Sequence, residues 1–296
     1  MEKMKKIEIF DVLNYTLFAL FTLACIFPFY YLFINTISNN DLSSRGFVMF
    51  YPRGFHLSNY TEVFKIPGLA TATLVSVGRT LIGTVLTVAA SGFLGYLFTK
   101  NGMWGRRFWY RFLIVTMYFN AGLIPWFLTM RNLGLTNNFL VYVVPGIVSP
   151  FFIILVKTFV ESTPIALQES AQIDGAGYFT IFYKIIMPLI TPILATIAIF
   201  SAVGQWNSFQ DTLFLVTNQK LFTLQFILYR YMNEATSLAT LMKSTQGALN
   251  INLANTQTAT SIRTTVSMIV VIPILLVYPF FQRFFVKGIM IGAVKG

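Results

Sequence analysis

The chain has 296 residues, of which 56% are hydrophobic, 17% aromatic and only 10% charged, with a formal net charge of +11. A soluble domain averages about 25% charged residues and could not hide this many Phe, Leu and Ile side chains in one core, so these numbers exclude an ordinary soluble protein. The basic excess would suggest nucleic acid in a soluble protein, but here it sits mainly beside apolar segments and speaks for membrane topology.

Residues 1–11 are short and charged, and from Val12 to Asn40 there is no charge at all. That run is longer than the apolar core of a secretory signal and lacks a small-residue cleavage site, so it is expected to stay as an anchor. The first transmembrane helix is predicted over 14–35, with Pro28 inside it. The single cysteine, Cys25, lies there too, which excludes an intrachain disulfide. A polar loop over 38–70 follows, with Asp41, Arg45, Arg53, His56, Glu62 and Lys65. His56 is the only histidine. With no second histidine or cysteine beside it, it is expected to be structural or solvated.

The second span is predicted over 71–99. Its small residues (Ser76, Gly78, Gly83, Ala89, Ala90, Ser91, Gly92 and Gly95) permit close helix contact, so protein is expected to surround it. A basic turn with Lys100, Arg106, Arg107 and Arg111 leads to a third span over 112–130, made irregular by Asn120, Gly122 and Pro125. After the polar turn 131–138 comes a fourth span over 139–156, with Pro145, Gly146 and Pro150. The fifth is predicted over 189–207 and the sixth over 264–282, the latter with Pro273 and Pro279. Between them, 208–263 is polar and mixed, with an amphipathic helix expected over 221–231 and an amide-rich outer stretch over 244–262. The predicted fold is all-α: a polytopic membrane protein of six transmembrane helices, 1–296 forming one transmembrane domain.

Six spans place both termini on one side. The segments on that side hold twelve Lys and Arg in about 70 residues, against eight in about 100 residues on the other, and the denser side is cytoplasmic. Residues 163–188, TPIALQESAQIDGAGYFTIFYKIIMP, fall on the same side. Thr163 is expected to cap a helix and Pro164 to fit its first turn. Ile165, Leu167, Ala171 and Ile173 are expected to give it an apolar side, and Asp174-Gly175 to end it through a left-handed residue. Tyr178 to Ile186 can form a second short helix, with Pro188 at the start of the next span.

These residues carry a resemblance. Glu169-Ser170-Ala171, three residues, Gly175, nine residues, then Ile185-Ile186-Met187-Pro188 resembles the signature of ABC importer membrane subunits: Glu-Ala-Ala, three residues, Gly, nine residues, Ile, any residue, Leu-Pro. Ser170 for Ala and Met187 for Leu are mild departures, and the spacing is kept. The ending FFVKGIMIGAVKG is similar to the carbohydrate branch of these permeases, among them the smaller maltose-type subunit and the polysaccharide and oligosaccharide permeases. The resemblance covers most of the chain from the second span onward. It implies the type I importer fold, with 163–188 as the coupling helix that docks on an ATP-hydrolysing subunit through Glu169, Ser170, Ala171, Asp174, Gly175 and Pro188. The partners it implies are a second, homologous permease, two ATPase subunits, an extracellular solute-binding protein, the lipid bilayer and a carbohydrate, with no nucleic acid. The expected location is the plasma membrane, multi-pass, both termini cytoplasmic.

No Gly-x-x-x-x-Gly-Lys-Ser/Thr stretch occurs, so the chain is expected to be a non-catalytic transport subunit with no cofactor or metal of its own, ATP and Mg belonging to the partner ATPases. Six residues are candidates for a substrate path. A mid-helix Arg79 costs about 2.5–3.5 kcal/mol on insertion scales, so it faces a polar cavity, a carboxylate or carbonyls, or else snorkels to the interface. Gln205, Trp206 and Asn207 end the fifth span, where an aromatic face and amides suit a sugar, though an interfacial aromatic belt has the same composition. Asn120 is a further candidate, as is Gln210 outside the span. Three other readings compete. A permease for peptides or polyamines would, for polyamines, show acidic residues in the spans. An ion-coupled secondary transporter would show intramembrane carboxylates. A membrane anchor would not need irregular helices.

Overall fold

A computed structural model describes residues 9–233 and 258–293, and every regular element in them is helical. The described residues form two units, 9–66 with 230–233 and 258–271, and 67–229 with 272–293.

The first unit is built on α1 (Ile9–Thr36), a helix of 28 residues that keeps Pro28 within it and is almost wholly exposed. Its last turn feeds a tightly bonded polar cap. The Asn35 amide donates to the Tyr31 carbonyl at 2.8 Å and its oxygen accepts from the Ser43 hydroxyl at 2.6 Å. The Asn59 amide donates to the Thr36 carbonyl and to Asn40 Oδ1, each at 2.9 Å. Asn35, Asn40, Ser43 and Asn59 are buried beside Ile34, Ile37, Val48 and Val63, so hydrogen-bonded polar groups and apolar side chains hold the cap together. Two short helices, α2 (Asn40–Ser44) and α3 (Ser58–Phe64), sit in it. Most of the predicted loop 38–70 is thus an ordered cap, and its last two residues already belong to the next helix, which starts at Leu69. His56 belongs to it structurally: its backbone N–H donates to the Ile37 carbonyl at 3.0 Å.

The second unit is organised around α4 (Leu69–Leu97). Its small residues do what their spacing predicts. A Cβ on Gly95 would stand 2.6 Å from Val156 Cβ, and one on Gly92 would stand 3.3 Å from Leu194 Cδ2. These are the contacts with α7 (Pro150–Glu161) and α11 (Thr191–Asn207). One third of the most apolar window of α4 is buried, against 6% for α1, so α4 is the more enclosed of the two.

The predicted third span is two helices, α5 (Arg106–Tyr118) and α6 (Leu123–Asn132). Extended Phe119 and left-handed Gly122, with φ 85°, separate them, and the Asn120 side chain accepts from the Gly122 N–H at 2.9 Å to hold the turn. The fourth is two short 3-10 turns, Phe139–Tyr142 and Val144–Gly146, bent by 43° from α7. Ahead of α11 run α8 (Ala166–Ile173), α9 (Tyr178–Ile181), a π turn over Phe182–Ile186 and α10 (Met187–Leu189), with a bend of 78° into α11. Beyond α11 come α12 (Gln210–Leu215), α13 over 224–233, and α14 (Ala259–Ala293). α14 opens on a reciprocal cap, in which the Thr258 N–H donates to Ser261 Oγ and the Ser261 N–H to Thr258 Oγ1. Among the described residues three helices are long and apolar enough to cross a membrane, or five if each bent pair is one span. Most of the amide-rich stretch 244–262 lies outside the described residues.

Candidate functional site

Two places in the second unit gather the sequence candidates. The first is centred on Arg79, which projects from α4 and is 2% exposed. It does not snorkel. Its Nη2 donates to Asp211 Oδ2 at 2.8 Å and to Gln205 Oε1 at 3.0 Å, its Nε to the same Gln205 oxygen at 3.2 Å, and its Nη1 to the Ser208 carbonyl at 3.2 Å. The guanidinium also lies over the Tyr142 ring, 4.6 Å from its centroid. The cation therefore meets a carboxylate, an amide, a carbonyl and an aromatic face at once, which offsets its removal from water. Asp211 stands in the first turn of α12 and also accepts from the Ser208 hydroxyl at 2.9 Å. Tyr142 donates to the Leu221 carbonyl at 2.6 Å and accepts from Thr212 at 3.1 Å.

Gln205 is held by shape as well. A Cβ at Gly83 would come within 2.7 Å of its Nε2, and one at Gly146 within 3.2 Å. Two helical faces thus narrow to glycine where this amide passes, and a larger residue at Gly83 would push it off Arg79. The Arg79 centre forms one wall of a cavity of about 420 Å³, whose other walls include Trp126, Phe152, Phe200, Ser149 and Ser201. Aromatic faces and hydrogen-bonding groups share this space.

Of the six predicted path residues, Arg79 and Gln205 line this cavity together. Trp206, one residue and about 100° further round α11, is buried in a separate, almost wholly apolar groove with Val77, Leu81 and Ile199. Asn207 is exposed at the end of α11, and Asn120 is exposed in the break between α5 and α6. Gln210 is exposed at the start of α12. Trp126 and Asp211 were not among the candidates. Trp126 follows Pro125 in an apolar stretch and gives no polar signal, whereas Asp211, four residues beyond the Trp-Asn pair, was readable as the carboxylate a mid-helix arginine needs.

The second place is the turn after α7. Thr163 does not cap α8: its hydroxyl donates back to the Val160 carbonyl at 2.6 Å and closes α7, while the residue before α8 is Ile165, with no side-chain cap. The apolar residues of α8 do not share one surrounding. Only Ala171 packs inward, joined by buried Gln168, while Ile165, Leu167 and Ile173 are exposed, Ile173 by 86%. The end of α8 is as the sequence suggests. Gly175 has φ 79°, the Ala176 N–H donates to the Ala171 carbonyl at 2.9 Å, and the Gly175 N–H to the Gln172 carbonyl at 3.0 Å, the bond pair that terminates a helix through a left-handed residue. No atom lies within 4 Å of a Cβ built on Gly175, so only the backbone demands glycine there. Glu169, Ser170 and Asp174 face outward beside it.

Pro188 has no N–H to donate to the Lys184 carbonyl, and the wide turn that precedes it takes up this break, with the Met187 N–H reaching the Phe182 carbonyl. Ile181, Phe182, Ile186 and Ile190 anchor the stretch in a core with Tyr96, Val156 and Val160. The Lys100 ammonium, past the end of α4, donates to Gln168 Oε1 and lies 4.3 Å from the Tyr96 ring centroid. Burial pulls the Lys100 pKa below that of an ordinary lysine.

A family model described as "Binding-protein-dependent transport system inner membrane component" matches residues 88–291. The chain is 33% identical over 297 residues to protein LplC of Bacillus subtilis (strain 168), covering 100% of this chain and 98% of that one. It is 31% identical over 293 residues to the polygalacturonan/rhamnogalacturonan transport system permease protein YtcP of the same organism, covering 98% and 100%. Among solved structures it is similar to a chain from a bacterial ABC transporter involved in the import of the acidic polysaccharide alginate, at 28% identity and a TM-score of 0.81, over 95% of this chain and 98% of that one. With the spacing from Glu169 to Pro188 intact and a family match over more than half its length, the chain belongs to the inner membrane components of binding-protein-dependent transport systems.

Proposed function

We propose that this chain is the permease subunit of an ABC importer that carries an oligosaccharide or related carbohydrate. The cavity beside Arg79 is the observation that carries the carbohydrate part. Aromatic faces stack on sugar rings, and Gln205, Ser149 and Ser201 offer hydrogen bonds to hydroxyls without a net charge, since Arg79 is paired with Asp211. The relatives named for polysaccharide transport support the same substrate class.

In this reading the chain crosses the plasma membrane six times with both termini in the cytoplasm. The broken helices α5 and α6 serve together as the third span. The chain pairs with a second, homologous permease, and an extracellular solute-binding protein delivers the substrate. Two ATPase subunits bind ATP and Mg²⁺ and do the hydrolysis. The surface formed by Ile165, Leu167 and Ile173, with Glu169, Ser170 and Asp174 beside it, docks on an ATPase, and Gly175 with Pro188 sets its angle. Exposed apolar side chains on a polar, membrane-flanking turn are what a partner would cover.

The test is uptake by the complex reconstituted in vesicles. Trp126→Ala and Gln205→Ala should each lower transport by about five- to thirtyfold, since a stacking contact or a hydrogen bond is worth about 1–2 kcal/mol, and Trp126→Ala, outside the Arg79 centre, should leave the complex assembled. Normal transport by the double variant would remove this cavity from the path. Trp206→Ala, which opens the apolar groove instead, is expected to act through packing.

A further inference from the structure

α4 carries Arg79 within its first half and leads, three residues past its last residue, to Lys100. Arg79 and Tyr96 are about 26 Å apart along the axis of this unbroken helix. At the Arg79 end, α4 is tied to α11 and α12 through Gln205 and Asp211. At the other end, two contacts reach the segment around α8, and a third holds their donors together. The Lys100 ammonium donates to Gln168 Oε1, the Tyr96 hydroxyl donates to the Tyr178 carbonyl at 3.2 Å, and the same ammonium sits over the Tyr96 ring. Gln168 is the one buried residue of α8, and its partner is not on α8 or α7 but just past the end of α4. A groove of about 370 Å³ with Glu161, Glu169 and Gln172 on its walls lies beside this contact, so packing alone does not clamp α8 on that side.

We propose that Lys100 and Gln168 are positioning residues that couple α8 to α4, so that movement of α8 is passed along α4 to the Arg79 cavity. The physical basis is stiffness and geometry. A continuous helix transmits displacement along its axis, whereas the other route out of the α8 segment runs through the π turn and the 78° bend before α11. A charge-assisted bond from a partly buried ammonium is directional and among the stronger side-chain contacts. Tyr96 holds the ammonium in place over its ring, and its hydroxyl fixes the start of α9.

This inference rests on the reading of α8 as the coupling helix, and the experiment separates the two. The full complex, with partner permease, ATPases and binding protein, is reconstituted in vesicles with Lys100→Met, Lys100→Arg, Gln168→Leu, the double variant Lys100→Met/Gln168→Leu, and Gly175→Val as the control that disturbs α8 itself. Lys100→Met keeps the apolar stem on Tyr96 and removes the donor. It should leave the ATPases attached but cut the stimulation of hydrolysis by loaded binding protein by about tenfold, within the range of ordinary coupling between sites. Gln168→Leu should do the same, and the double variant should be no worse than either single one, because one contact is lost in each. Lys100→Arg, which retains a charged donor, should recover most of the stimulation, which a merely structural loss would not allow. If Gly175→Val uncouples while Lys100→Met and Gln168→Leu do not, the inference is overturned and the coupling helix stands. If none of them uncouples, the coupling reading itself has failed. Should Lys100→Met not assemble, Gln168→Leu decides alone.

Discussion

The Arg79 centre and the turn after α8 are both polar interruptions in an apolar chain, yet they are finished to different degrees. Arg79 is buried and each of its three nitrogens donates within the chain, to Asp211, Gln205 or the Ser208 carbonyl. The turn exposes Ile165, Leu167 and Ile173, and its glycine faces open space. The difference teaches where each can tolerate change. A completed centre fails when one member is removed, because a buried charge loses its partner. An uncovered turn loses little stability within the chain, and its substitutions matter to whatever docks there.

The strongest test of that contrast is Arg79→Ala. It leaves Asp211 and Gln205 without their partner and should destabilise the assembled protein by about 3–5 kcal/mol, read as a large drop in the unfolding midpoint in detergent. A midpoint near that of the wild type would mean that water reaches the centre freely. Next is Gly95→Ala. The added methyl would stand 2.6 Å from Val156 Cβ and 3.1 Å from the Ile153 carbonyl, so α7 must move away from α4, at about 1–3 kcal/mol in the same measurement. Gly83→Ala meets a side chain rather than backbone and should cost less, about 1 kcal/mol, but it displaces Gln205 from Arg79 and should depress uptake beyond what stability explains. At the other extreme, Ile173→Ser on the exposed turn should change the midpoint by no more than about 0.5 kcal/mol while weakening capture of the ATPase subunits in a pull-down. A large stability loss there would show that the turn is already covered within the chain.

Much of this contrast was readable from sequence, for local reasons. The small residues of α4 announce a helix buried among helices, and Asp174-Gly175 announces a left-handed stop. The need of Arg79 for polar partners follows from its place among apolar neighbours. Which partners it finds does not follow, because Gln205 and Asp211 lie 126 and 132 residues away. The cavity escaped for a similar reason. Trp206 drew attention by residue type, but the rotation of about 100° per residue sends it to an apolar groove and leaves Gln205 in the polar space. The cap after α1 was hidden because Asn, Ser and Thr in a run look like a solvated loop, and only their mutual hydrogen bonds make them a core. The inward contact of α8 was not legible because it is made by a polar residue, Gln168, to Lys100, 68 residues away.

The central claim is that residues 163–188 couple this chain to ATP hydrolysis, and Gly175 tests it most directly. Its φ of 79° is open to asparagine at small cost, but a β-branched residue is strained there by about 1–2 kcal/mol or more. The measurement is binding-protein-stimulated ATP hydrolysis in vesicles that contain the complete complex with Gly175→Asn or Gly175→Val. The account predicts that Gly175→Asn keeps the stimulation and Gly175→Val loses it, with both proteins inserted and paired with the partner permease. Equal, wild-type stimulation in both would contradict it.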